Sequence, residues 1–376
     1  RPESRSRALQ RRGPGYVPES VKPAARRLIP TLLPLFLVLT GTLALRAAPA
    51  SAGNVFGPHA GKKLTGVSDN GTLEGFGNFA DAVGKHPAVL QTFHPWGNGL
   101  QLAYRRWQNA EVMPMLHIST ADDETREELI TPQEIARGYG DSYLLEINRF
   151  FFEKDQRAFI RPLGEPNRCL NPYTAVTCSG HRRGGEHTTY WYRKAFQRIA
   201  VIVRGGLPAD RLDRKLNRLK LRKVNWGALP RPAKVPAAPV SIVWSALPAG
   251  SPKAKGNWPG NYWPGSHFVD WAGVDFYSDY PHWRDLNRFM RGKAWRGKPV
   301  VLTEWGVAGS DDITFVRQLF HWMNRRPRVR MMVYYRGFGG PEDRYNPHNY
   351  PLTLKVMRNK LRDPRYVAYA HRHARR

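Results

Sequence analysis

Two segments of the 376-residue sequence each run an apolar strand straight into a glutamate. One is Ile160-Arg161-Pro162-Leu163-Gly164-Glu165-Pro166-Asn167; the other is Val300-Val301-Leu302-Thr303-Glu304-Trp305-Gly306. Two carboxyl groups flanking one bond are the minimum equipment for cleaving a glycosidic linkage: one protonates the leaving oxygen, and the other attacks the sugar or activates water. A lone Glu after a strand is ordinarily a solvated loop acid or a helix cap, so the pairing carries the argument. The two glutamates are 139 positions apart. Only a fold that gathers distant strand ends on one face can bring them together.

The rest of the chain supplies such a fold. Runs rich in apolar residues at 64–69, 89–94, 113–120, 159–165, 240–247, 271–277, 300–305 and 330–336 predict eight strands. Most are continuously apolar, as parallel strands buried on both faces must be. Helices are predicted between them at 75–84, 100–109, 131–154, 187–204, 283–294 and 311–324. Thr131-Pro132-Gln133-Glu134 reads as an N-cap, a Pro at the first helical position and an acid in the first turn. Strand–helix alternation of this kind predicts an α/β fold, a (β/α)8 TIM barrel over residues 53–360. Such barrels place their chemistry at the C-terminal ends of the strands. There this sequence carries His94 and Trp96, His117, Glu165, Trp244, Asp275 and Tyr277, Glu304 and Trp305, and Tyr334 and Tyr335. Two roles stay open for His94 and His117: binding substrate, or satisfying buried hydrogen bonds. Asp275, inside an apolar strand, requires a cationic or hydrogen-bonding partner. Asp69-Asn70 is placed to line a distal part of the same face.

Composition narrows the partners. The formal net charge is +29, with 12 Trp and 12% aromatic residues. Residues 1–52 hold nine Lys/Arg against Glu3 and Glu19, so most of the excess lies beyond them. A surface this basic attracts anionic polymers, and an anionic cell-wall polymer is the partner expected beside a polysaccharide substrate. No nucleic-acid-binding motif accompanies the charge, and none is expected to bind. Residues 211–234 contain nine Lys/Arg and only Asp213 as an acid, and read as a solvated basic helix with a Pro-rich exit. Arg26-Arg27, an apolar run over 28–45 and Ala50-Ser51-Ala52 describe a signal peptide cleaved after Ala52. The alternative is an uncleaved N-terminal anchor that holds the protein at the cell surface. Cys169 and Cys178 are the two cysteines, and in an exported protein they are expected to form one disulfide. No metal-ligand spacing accompanies them, so neither metal nor cofactor is expected. A basic, flexible tail is expected after residue 360, and a monomer is the expectation for this class.

The motifs together resemble glycoside hydrolase family 26, best known for endo-β-mannanases, within the clan of retaining barrel glycosidases. The resemblance is carried by Gln91-Thr92-Phe93-His94-Pro95-Trp96, by Arg161 through Asn167, by Asp270 through Tyr277 and by Lys298 through Gly306. It implies that Glu165 is the general acid/base and Glu304 the nucleophile of a double displacement. It also implies that Tyr277 hydrogen-bonds Glu304 and that Arg161 lies beneath Glu304 and favours its charge. Trp96, Trp244 and Trp305 are expected to stack on sugar faces, with His94, His117, Asn167, Tyr277 and Tyr335 as further substrate contacts. The family usually carries a His immediately before the acid/base; this sequence has Gly164. The expected function is a secreted retaining glycosidase acting on a β-linked, mannan-like polysaccharide. A glucan, a β-1,3-xylan or an anionic wall polysaccharide are the other substrates considered, and a non-catalytic carbohydrate-binding barrel is the competing class.

Overall fold

A computed structural model describes residues 56–337 and 342–370; the leader falls outside them. Eight parallel strands close on themselves. They are β1 (Lys63–Ser68), β2 (Val89–Pro95), β3 (Met113–Ser119), β4 (Ala158–Pro162), β5 (Val240–Ala246), β6 (Trp271–Tyr277), β7 (Val300–Gly306) and β8 (Val329–Tyr334). Each pairs with its sequence neighbour, and β1 pairs with both β2 and β8. The (β/α)8 barrel is therefore present. Helices connect the strands, and their starts follow local chemistry. Thr72, Thr188 and Asp312 each accept a backbone N–H of the first turn, and Thr131 with Glu134 forms a reciprocal capping box.

Three segments differ from the sequence expectation. Residues 131–154 form two helices, Pro132–Arg137 and Asp141–Glu153, because Gly138 turns left-handed at φ 96° and ends the first. The helix expected of the basic stretch is present, over Ala209–Arg218, whereas a helix without a sequence expectation, Pro351–Leu361, follows β8. The chain past Arg362, expected to be a loose tail, is packed through Ala370. Tyr366–Val367 forms β9, parallel to β1, and Tyr366 is buried. Residues 371–376 lie outside the described part.

The pleat divides each strand between two environments. Inward residues fill the barrel floor: Leu64, Val89, Met113, Met115, Phe159, Val243, Trp271, Val301, Met331 and Val333 form one apolar cluster. Outward residues such as Ile160, Trp244, Val274, Leu302, Trp305 and Tyr334 join the larger cluster. The alternation is broken once where it matters. On β7 the register to β6 passes from Val274↔Leu302 to Asp275↔Glu304, so Thr303 is supernumerary. The same slip occurs against β8, between Leu302↔Met332 and Trp305↔Tyr334. This bulge lets Thr303 and Glu304 both face the barrel interior and turns Trp305 out.

Candidate active site

β4 ends at Pro162, three residues before Glu165, and a kinked turn delivers the carboxylate. Leu163 and Glu165 both adopt positive φ, 49° and 51°, around Gly164. Non-glycine residues occupy that region only when their surroundings fix them, at about 1–3 kcal/mol each. The surroundings here account for the backbone of the kink. Leu163 N–H donates to Ile118 O (2.9 Å), Glu165 N–H to Ser245 O (3.2 Å) and Gly164 N–H to His117 Nε2 (3.1 Å). Gly164 O accepts from Tyr173 Oη (2.6 Å) and Asn171 Nδ2 (3.2 Å), and Asn171 also reaches Glu165 O (2.9 Å). Asn171 and Tyr173 belong to the loop closed by the Cys169–Cys178 disulfide, whose Cα atoms are 5.0 Å apart.

Arg161, fully buried on the inward face of β4, organises the centre. Its guanidinium pairs with Glu304 Oε1 and Asp275 Oδ2, and donates to Ser245 Oγ (2.7 Å) and Gln91 Oε1 (3.2 Å). Tyr277 Oη donates to Glu304 Oε2 (2.5 Å), and Thr303 Oγ1 donates to Asp275. Glu304 is thus held by a cation on one oxygen and a hydroxyl on the other, which fix its orientation. Glu165 is in a different situation. Burial, and then the charge of Glu304, push its carboxyl above the usual range, against the opposing pull of Arg168 and Arg161. The two carboxyl groups are thus held in different environments.

Both glutamates open onto one cavity of about 1110 Å³ at the C-terminal mouth of the barrel. Asp69 and Asn70 line it as well; Asp69 is already engaged by Arg106 (2.8 Å) and Thr92 (2.9 Å). One wall is aromatic. Tyr335 lies edge-on to Phe93, Tyr277 and Tyr345, with ring centroids 5.9, 6.0 and 5.1 Å apart. His117 also faces the cavity. Its Nε2 accepts from Gly164, so Nδ1 carries the proton and, among the described residues, has no acceptor. Burial, and after it Arg161, keep this imidazole neutral. The cavity therefore offers a proton donor, a fixed carboxylate and an aromatic platform.

Molecules of known structure share this architecture. Over 81% of this chain and 90% of the other, it superposes on a GH26 β-mannanase from Bacteroides ovatus with a TM-score of 0.55 at 14% identity. The GH26A structure from a Muricauda species gives 0.52 at 14% identity, over 82% of this chain and 92% of that one. The YdhT protein of Bacillus subtilis gives 0.51 at 12% identity, over 83% and 88%. The chain has their fold. No family model and no curated protein matches the sequence.

The structure brings Glu165, Glu304, Arg161, His117, Tyr277 and Tyr335 to the cavity. Five expected substrate contacts lie elsewhere. Trp244 and Trp305 are fully buried on the outward face of the barrel, against Trp263, Phe289 and Trp295 and against Phe320 and Tyr334. Trp96 packs on Tyr143, at 5.1 Å between centroids. His94 is out of phase with the inward Gln91 and Phe93, and its Nε2 is bonded to Asn98 O (2.8 Å). Asn167 is fully buried, and its side chain clamps Leu247 N and O, both at 2.9 Å. These five position loops or fill the core. Sequence reading passed over Phe93, Arg168, Tyr173 and Tyr345 as cavity residues. Phe93 was findable, being two residues beyond Gln91 on the same face; the others sit on loops without periodicity.

Proposed function

We propose that this protein is a retaining glycoside hydrolase acting on a β-linked, mannan-like polysaccharide, with Glu165 as general acid/base and Glu304 as nucleophile. The observation that carries this reading is the pair itself. Two carboxyl groups from β7 and the β4 turn open onto one cavity, one held by Arg161 and Tyr277 and the other with its proton favoured by burial. In the first step Glu304 bonds to the anomeric carbon as the glycosidic C–O bond breaks, and the Glu165 proton passes to the leaving oxygen. In the second, water adds to the anomeric carbon, its proton returns to Glu165, and Glu304 is released. The tyrosine wall is available to a sugar face. Mannan is placed first because the structural neighbours named above include a β-mannanase. The reading includes export, through residues 1–52.

The test is product release from β-mannan, galactomannan, glucomannan, mixed-linkage glucan and β-1,3-xylan by the full chain. Glu304→Ala and Glu165→Ala are each expected to cut turnover by about a thousandfold or more while remaining folded. The rate should fall as pH rises through the elevated pKa of Glu165, because the protonated form donates. Sugar binding without turnover by the unaltered protein would replace this reading with a carbohydrate-binding barrel.

A further inference from the structure

Arg168 stands where a glycosidase of this design has least need of a cation. Its guanidinium lies on Glu165 Oε2 at 3.3 Å, the group whose proton the reaction consumes. A positive charge there favours the ionised carboxylate and opposes protonation. The other cations at the cavity are engaged more closely or stand at its rim. Arg161 is saturated by four partners, Arg106 forks onto Asp69, and Lys253 pairs with Asp285 at 2.5 Å. Arg126 is exposed near Asp123. Arg168 differs from them in having a rigid base and a free arm. Its backbone N–H is bonded to Glu165 O (3.0 Å), it bridges to Ser251, and the neighbouring Cys169 is disulfide-bonded. Its side chain is 45% exposed into the cavity, and one long hydrogen bond is all it makes among the described residues. Glu165, Glu304, Tyr277 and Tyr173 face it, and so do Tyr335 and Tyr345 of the aromatic wall.

We infer that Arg168 is a specificity residue that receives an anionic substituent, a sugar carboxylate, on the leaving-group side of the bond to be cut. This rests on the glycosidase reading above. Glu165 gives its proton to the leaving oxygen, so a cation in contact with Glu165 borders the leaving sugar. A planar guanidinium with unused N–H groups matches a carboxylate in a two-point contact. When the substrate carboxylate takes Arg168, Glu165 loses its counter-ion and retains its proton more firmly. The overall excess of cations on the chain suits an acidic polymer as well.

The test compares β-mannan with the same polymer oxidised at C6 to the carboxylate and with phosphorylated mannan, using the full chain and Arg168→Met. The unaltered protein is expected to show kcat/KM at least tenfold higher on the carboxylated polymer than on neutral mannan. Arg168→Met should lower kcat/KM on the carboxylated polymer by a factor at least ten larger than on the neutral one. An equal loss on both would make Arg168 a structural partner of Glu165 and overturn the inference. Preference for the phosphorylated polymer would overturn the choice of a carboxylate. If no polymer is cleaved, binding decides separately. With Glu304→Ala, mannuronate oligomers should bind at least tenfold more tightly than neutral mannooligosaccharides, and adding Arg168→Met should abolish the difference. Equal binding would overturn the inference even if the glycosidase reading stood.

Discussion

Gly164 is the residue at which this site departs from its sequence resemblance, and its environment explains why nothing larger stands there. A β-carbon at this position would lie 2.7 Å from Arg161 Nε and 2.8 Å from both Arg161 Nη2 and His117 Nε2. The space beside it is filled by the imidazole of His117 on β3, which accepts the Gly164 N–H. Gly164 is thus a packing requirement of the charged centre. Gly164→His, which restores the expected residue, should therefore lower turnover by more than tenfold and cost about 1–3 kcal/mol of stability through overpacking. Hydrolysis rates and denaturant unfolding of the variant check this; a gain in rate would mark Gly164 as a lesion instead. Single residues were legible in sequence only where chemistry dictated them. The two glutamates and Tyr277 sit at strand ends, where a barrel places its chemistry; the role of Arg161 is legible only through the family resemblance. Tryptophans suit both a sugar platform and a core, and type alone could not separate the two.

Among elements, the strands could be read from the sequence and their facing could not. Eight runs, most of them continuously apolar, announce parallel strands buried on both sides, but such runs carry little alternation from which to tell inside from outside. Plain period-2 counting from Val301 puts Thr303 and Trp305 inside and Glu304 outside; the bulge on β7 reverses the last two. The Gly138-Tyr139-Gly140 break within 131–154 did leave a signal, two glycines in three positions. The disulfide loop after β4 is the element with the most direct hold on catalysis, because Asn171 and Tyr173 fix the carbonyls of Gly164 and Glu165. The barrel pairing itself does not pass through that loop. Replacing both Cys169 and Cys178 by Ser is expected to lower turnover about tenfold while far-UV circular dichroism stays unchanged. Stability should fall by roughly 2–3 kcal/mol, as for a short closed loop. Loss of the whole fold in that variant would show the loop to be part of the core.

At the scale of the molecule, closure depends on segments far apart in the chain. β1 is held by β8 on one side and β2 on the other, and β9 caps its start with Lys63↔Tyr366 and Leu64↔Val367. Tyr366 packs its ring on Phe320 at 5.3 Å between centroids and donates to Asn324 Oδ1 (2.7 Å). Tyr366→Ala should therefore cost about 3–5 kcal/mol, as truncation of a buried aromatic does. A denaturant midpoint shifted by less than 1 kcal/mol equivalent would show β9 to be a passive appendage. The same arrangement sets a clock on biosynthesis. At about 5–20 residues per second, the strand that caps β1 is made roughly 15–60 s after β1 itself. For most of that interval the barrel has its first strand but not β8, its last, and the nascent chain is an open string of strand–helix units. A chaperone or a translocation channel that needs unclosed polypeptide therefore has that whole interval in which to engage it.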